Sequence, residues 1–445
     1  MAAHLVSVID TKDFGAEQMR VGDLNGDGAP DLLFVQSVFG TREITCLTAT
    51  TIDGRVLWQS GQPSLDNGRI YGDLPVQVYD WDNDGINEVL YVRQAFYADP
   101  VVWDCATGKE VKVAPARPGQ FRGEESWVRE QARRYEGDAT MVVLDGLTGR
   151  QKASLPIPAP ADDCFLFADL TGRGRREDLV VKDRYWNMWG VSHQGQVLWQ
   201  WKGAVGHFPA VADVDGDGKD EVFVGFALID HDGKVLFHHP LPRPGDHQDA
   251  AYAWRLADGS WRLAFGNAGV HCLASDGREL WQHPLGEAQH VIAARFREDS
   301  PVQFMVIDRG ERTPTGRSSL YLYDLDGREV WRREQPVGGW AAACIPIDWS
   351  GAGEPREAAV YSRGPDQPVA IYDGDGRIVD QLPMRYSHGR AVEDHNAHYY
   401  GARADVWGDR REEVILFGSR GACIYANARP LAVPTLYNNT LYPGM

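Results

Sequence analysis

Residues 207–221 read HFPAVADVDGDGKDE, and different chemistry stands at each end of this stretch. At one end Asp213, Asp215 and Asp217 alternate with small or turn-forming residues. Gly218 permits a sharp turn, and Glu221 closes the set as the next apolar run begins. Carboxylates spaced this way converge on one hard cation, the oxygen-only chemistry that calcium prefers. At the other end stands His207, six residues ahead of Asp213. Six extended residues reach roughly 20 Å, so this imidazole cannot join that cation and faces the opposite rim.

The acidic loop recurs. DLNGDGAPD occupies 23–31, DWDNDGINE 80–88, DLTGRGRRE 169–177 and DVDGDGKDE 213–221. Weaker copies lie at 254–262, 295–304, 348–357 and 405–413. The spacing resembles the first half of an EF-hand loop, but the closing acid comes early and no helices flank it. Structural calcium is therefore expected at Asp23, Asn25, Asp27 and Asp31, at Asp80, Asp82, Asp84 and Glu88, and at Asp213, Asp215, Asp217 and Glu221. A second unit, a turn followed by GxxxW or similar, comes after most copies, as in DGRVLWQ at 53–59 and DGRELWQ at 276–282.

Each repeat reads as strand, acidic loop, strand, longer loop, strand, Asp-Gly turn, strand. Four antiparallel strands recurring eight times at about 40–60 residues describe an all-β, eight-bladed β-propeller. The last repeat supplies three strands, in ARADVW, EEVILFG and ACIYANA, and HLVSVID near the N-terminus matches a missing fourth. Their pairing is predicted to close the ring in blade eight and leave no edge. Residues 1–445 read as a single domain, with an insertion at about 93–137 in blade two and a tail at 429–445. That insertion is either a substrate wall or a surface ornament.

Composition narrows the partners. The net charge of −18 argues against nucleic acid and anionic membranes. No apolar run is long enough to span a bilayer. No signal-like segment opens the chain, which favours the cytoplasm, although a processed secreted protein would look the same. The six cysteines are widely spaced without a CxxC pair and read as small buried hydrophobes.

The rim from which first strands set out collects what a polar sugar or uronate pocket needs. Of 13 histidines, His207, His247, His290, His388, His395 and His398 map there. Asp163, Asp249, Trp340 and Tyr399 lead into first strands. Arg93, Tyr97, Lys182, Arg184, Asn267 and Arg309 leave second strands. His207, His247 and Asp249 begin neighbouring blades and can reach one ion.

Three stretches together resemble the rhamnogalacturonan lyases of polysaccharide lyase family 11: HFPAVADVDGDGKDEV through GDHQDAAYAW (207–254), DVWGDRREEVIL (405–416) and the tail YNNTLYPGM (437–445). The resemblance implies a calcium-rich eight-bladed propeller. It implies that His207, His247 and Asp249 hold a substrate-side divalent ion, calcium or manganese. The family's fourth ligand, a glutamate, has no clear equivalent here; nearby Asn267 is the candidate for that fourth substrate-side position. A family arginine falls at or beside His290. The implied reaction is metal-assisted β-elimination on an acidic poly- or oligosaccharide. For it we expect His290, then His398, as base and Tyr97 or Tyr399 as acid. Arg93 and Arg184 would clamp a carboxylate, and Trp340, His388 and Arg390 would contact sugar. Two rival readings keep the fold but not the reaction: a non-catalytic glycan-binding propeller, and an integrin-like protein-interaction propeller.

Overall fold

The computed structural model describes residues 3–16, 18–37, 43–63, 73–94, 101–104, 109–112, 131–134, 139–182, 187–203, 205–240, 247–310, 314–336, 342–362, 369–382 and 399–430. Eight four-stranded antiparallel sheets follow one another as the blades of a propeller. Blade four comprises Ala210–Ala212, Glu221–Val224, Ala227–Ile229 and Val235–His238; blade five comprises Ala250–Arg255, Trp261–Asn267, Gly269–Leu273 and Glu279–His283. Among the described residues the only helical element is a single 3-10 turn, Lys12–Phe14. No described helix is long and apolar enough to cross a membrane.

The ring closes as the sequence predicts. Ala3–Asp10 pairs antiparallel with Gly421–Asn427 and supplies the outer strand of blade eight. In blade two a separate three-stranded sheet, Val101–Asp104, Lys109–Lys112 and Gln131–Arg134, interrupts the passage from Glu88–Arg93 to Ala139–Asp145.

Burial explains the sequence pattern of each blade. Second strands such as Asp31–Ser37, Asp178–Lys182 and Glu221–Val224 are buried at every position. Neighbouring blades cover both their faces, so they read as unbroken apolar runs rather than alternating ones. Outer strands such as Val56–Gly61 and Val197–Lys202 are largely exposed except at their tryptophans. Cys46, Cys164, Cys272, Cys344 and Cys423 are buried, as expected of small hydrophobes.

At four blade boundaries such tryptophans tie one blade to the next. Trp58 Nε1–H donates to the Gly146 carbonyl at 2.6 Å, Trp199 to His231 at 2.7 Å, Trp281 to Leu325 at 3.0 Å and Trp331 to Gly374 at 2.9 Å. Each acceptor lies in the turn before the outer strand of the following blade. The indole packs on that turn's glycine, so the Asp-Gly turn and the tryptophan of the repeat are donor and receiver of one contact. Gly327 shows why glycine is required. Its φ is +79°, and a Cβ there would lie 2.5 Å from the Trp281 ring.

Gly327→Ala is expected to cost on the order of 2 kcal/mol, from positive-φ strain and overpacking together. A melting temperature equal to that of the parent would show that the indole–glycine contact does not hold blades five and six together.

Candidate metal centre

The strand Ala210–Ala212 carries His207 before its start and Asp213 after its end, so these residues stand at opposite rims. His247 and Asp249 precede Ala250–Arg255 and share the rim of His207. Buried Gln248 ties the segments leading into these two strands. Its carbonyl accepts from the His207 amide at 2.7 Å, its Nε2 donates to the Phe208 carbonyl at 2.9 Å, and its Oε1 accepts from the Gly225 amide. Gly206, at φ +59°, lets the backbones meet; a Cβ there would lie 2.4 Å from the Gln248 carbonyl oxygen. Fully buried Lys182 adds a tie from blade three, donating to the carbonyls of Asp162 at 2.9 Å and Gly206 at 3.0 Å.

This scaffold brings His207, His247 and Asp249 together, with one ligating atom from each inside a 4.8 Å span. Asp249 Oδ1 lies 3.6 Å from His207 Nε2 and 3.4 Å from His247 Nε2. His207 Nδ1 stands 2.8 Å from Asp163 Oδ2, whose other oxygen accepts from the Asp73 amide at 2.6 Å. An ionised carboxylate only accepts, so it places the proton on Nδ1 and turns the Nε2 lone pair toward Asp249. Two acceptors 3.6 Å apart repel unless a proton or a metal ion lies between them. Asp249 Oδ2 is buried with no hydrogen-bond partner among the described residues. Burial pushes the Asp249 carboxyl up, but His247 and His207 in their protonated forms, with Arg309, outweigh it and hold the group at about 2. The donor set and the orphaned oxygen fit a divalent cation.

The remaining expected residues divide. Asn267 Nδ2 donates to the His247 carbonyl, bracing the backbone beside the cluster. His290 is half-buried on Ala288–Ala294, the first strand of the next blade. Arg93 is exposed at the end of Glu88–Arg93. Tyr399 begins Tyr399–Ala404, without a described side chain. Tyr97, Arg184, Trp340, His388, Arg390 and His398 lie outside the described residues. Three features gain a role that spacing does not reveal. Asp163 orients His207. Arg309, paired with Glu287 at 2.7 Å, acts on Asp249. Phe208, 39% exposed, presents an aromatic ring 5.9 Å from that of His207.

On the opposite rim the acidic loops share one device. The first acid accepts from amides within its own turn, as Asp213 does from Gly216 at 2.7 Å and Gly218 at 3.3 Å. One oxygen of the closing acid anchors the loop start: Glu221 Oε2 accepts from Val214 at 2.6 Å, and Glu413 Oε2 from Val406 at 2.8 Å. The other oxygens, Glu221 Oε1 and Glu413 Oε1, are buried without a hydrogen-bond partner among the described residues. Burial pushes both carboxyls up to about 7. Carboxylate oxygens of Asp213, Asp215 and Glu221 lie within 4.8 Å of one another, as do those of Asp80, Asp82 and Glu88. In blade two, however, a lysine of the chain itself stands among the acids: Lys152 Nζ is 2.7 Å from Asp82 and Glu88 and 3.6 Å from Asp84. In blade three the loop is one residue longer than its spacing suggests, and Asp178 rather than Glu177 closes it.

No family model matches the chain. Two curated relatives from Bacillus subtilis (strain 168) do: the rhamnogalacturonan endolyase YesW, 24% identical over 284 residues, and the rhamnogalacturonan exolyase YesX, 25% identical over 281. Each match covers 55% of this chain and 42% of the relative, so the aligned part spans less than half of either lyase. The crystal structure of YesW superposes with a TM-score of 0.60 at 21% identity, covering 94% of this chain and 72% of that one. The Bacillus licheniformis rhamnogalacturonan lyase PL11 also gives 0.60 at 21% identity, covering 96% and 75%. The relatives are thus rhamnogalacturonan lyases, as the three motif stretches imply, and the shared fold is the propeller.

A pH effect follows from the orphaned acids. In chelator, the folded-state pKa of Glu221 is raised, so its penalty is absent below the unfolded value near 4.5. The penalty grows as pH rises and is complete above about 7. Glu221→Gln should therefore gain melting temperature relative to the parent across that window, and excess calcium should reverse the order. A parent that stays the more stable protein in chelator at about pH 8 would show that this acid needs no cation.

Proposed function

We propose that this chain is a polysaccharide lyase that cleaves a uronate-containing, rhamnogalacturonan-like glycan by β-elimination at the His207–His247–Asp249 rim. The observation that carries the reading is this cluster, drawn from successive blades and oriented by Asp163, in a chain whose relatives are rhamnogalacturonan lyases. His207, His247 and Asp249 would hold a divalent ion, calcium or manganese. When bound, that ion neutralises the uronate carboxylate and favours the enolate-like charge that develops next to it.

The chain's own residues do the rest. A base takes the proton α to the carboxylate, the C–H electrons form the ring double bond, and the C4–oxygen bond breaks. The departing oxygen takes up a proton. We assign the base to His290 ahead of His398, since an imidazole titrates near working pH. Tyr97 or Tyr399 returns the proton. Arg93 and Arg184 clamp the carboxylate. Trp340, His388 and Arg390 contact sugar, and Phe208 beside the cluster offers a face for stacking. Structural calcium in the acidic loops supports the ring on the other side.

Incubation with rhamnogalacturonan should give a chelator-sensitive rise in near-ultraviolet absorbance from the unsaturated product. Binding without any such rise, on this or other uronate glycans, would make the chain a glycan-binding propeller instead. His207→Ala combined with His247→Ala should abolish the rise in a protein that still folds, at some cost in melting temperature because buried Asp163 and Asp249 lose partners; failure to fold would assign these residues to the scaffold. Asp163→Asn should weaken metal affinity or turnover about 10- to 100-fold, and full activity in that variant would remove Asp163 from the site.

A further inference from the structure

A second histidine cluster lies where the end of blade four's outer strand meets the outer half of blade five. His239 follows the outer strand Val235–His238 of blade four, its amide donating to the Phe226 carbonyl at 2.7 Å. His271 lies on Gly269–Leu273 and Glu279 opens Glu279–His283, the third and fourth strands of blade five. We infer that His239, His271 and Glu279 form a transition-metal site of the zinc class that pins blade four to blade five.

Geometry and donor type both point there. One ligating atom from each residue falls within a 4.8 Å span. Glu279 Oε2 lies 2.9 Å from His271 Nδ1 and 3.4 Å from His239 Nε2, so one carboxylate oxygen already faces both rings. His271 is 5% exposed, so its ring is held inside the protein. Its Nδ1, the nitrogen facing Glu279, is therefore the one positioned to ligate. Phe265 fixes the ring, stacking on it at 4.7 Å between centroids with 8° between planes, and it flanks His239 at 5.6 Å.

The set of two imidazoles and one carboxylate suits zinc and its neighbours in the Irving–Williams series, whereas the all-oxygen loops suit calcium. Three protein ligands leave a fourth position for water. Glu279 and His239 are only half-buried, which gives an ion a path from solvent. The rim cluster sits instead on the segments that lead into first strands, so the two sites separate by mutation. This inference stands whether or not the chain is a lyase.

The test uses the full chain with His207→Ala and His247→Ala, stripped with chelator and returned to excess calcium so that the oxygen loops are filled. Titrated Co²⁺ should bind at one equivalent, with the visible absorption of a four-coordinate ion, and one equivalent of Zn²⁺ should bleach it. Adding Glu279→Gln or His239→Ala should weaken uptake at least tenfold. No stoichiometric uptake, or uptake unchanged by both substitutions, would leave only a metal-free hydrogen-bonded triad and overturn the assignment. Should the double rim variant not fold, the parent and its Glu279→Gln variant should differ by one equivalent of bound Co²⁺; equal stoichiometry would again overturn it.

Discussion

A site assembled from three blades is only as well defined as the placement of one blade against the next. Asp163 comes from blade three, His207 from blade four, and His247 and Asp249 from blade five. Their hydrogen-bonding and ligating geometry tolerates errors of a few tenths of an ångström, far less than a loosely packed stack of sheets would hold. The structure meets this demand with side chains that reach across blade boundaries. Gln248 and Lys182 hydrogen-bond the segments ahead of the first strands, and Gln248 also holds the Gly225 turn of blade four. Indoles of the outer strands seat on the next blade's glycine turn. Loops on the far side also interlock: Asp220 of blade four exchanges backbone and side-chain hydrogen bonds with Asp169 of blade three, and Glu412 of blade eight does so with Asp348 of blade seven.

Buried negative charge is the second organising theme. A carboxylate removed from water must find a cation or several N–H donors. The loops divide that need in two, one oxygen of the closing acid serving the backbone and the other facing inward. Where the inward oxygen lacks a hydrogen-bond partner among the described residues, as in Glu221 and Glu413, a metal ion would complete the arrangement. Where Lys152 reaches in, the chain supplies its own positive charge. At the opposite rim the donors change from oxygen alone to imidazole with carboxylate, and the chemistry available changes with them.

Much of this was legible from spacing alone. The recurring acidic loop revealed eight blades because each loop is local, contained within nine or ten residues. The six-residue interval from His207 to Asp213 separated the two rims, because a strand has a fixed rise. The pairing of HLVSVID with the last blade followed from counting strands. What spacing could not reveal is contact between distant segments. Asp163 meets His207 across 44 residues, and Lys152 meets Glu88 across 64. His239, His271 and Glu279 carry no motif, since two blades bring them together by packing. The extra residue in blade three's loop hid Asp178 behind the equally acidic Glu177.

The strand Ala3–Asp10 leaves the ribosome long before its hydrogen-bonding partner, Gly421–Asn427, is made. Throughout that interval the early segment must remain without its ladder while the sheets between form behind it. A nascent chain of this kind carries an exposed pairing edge until the distant partner emerges. Truncated products would keep that edge permanently, and their natural fate is association with one another rather than a smaller ring.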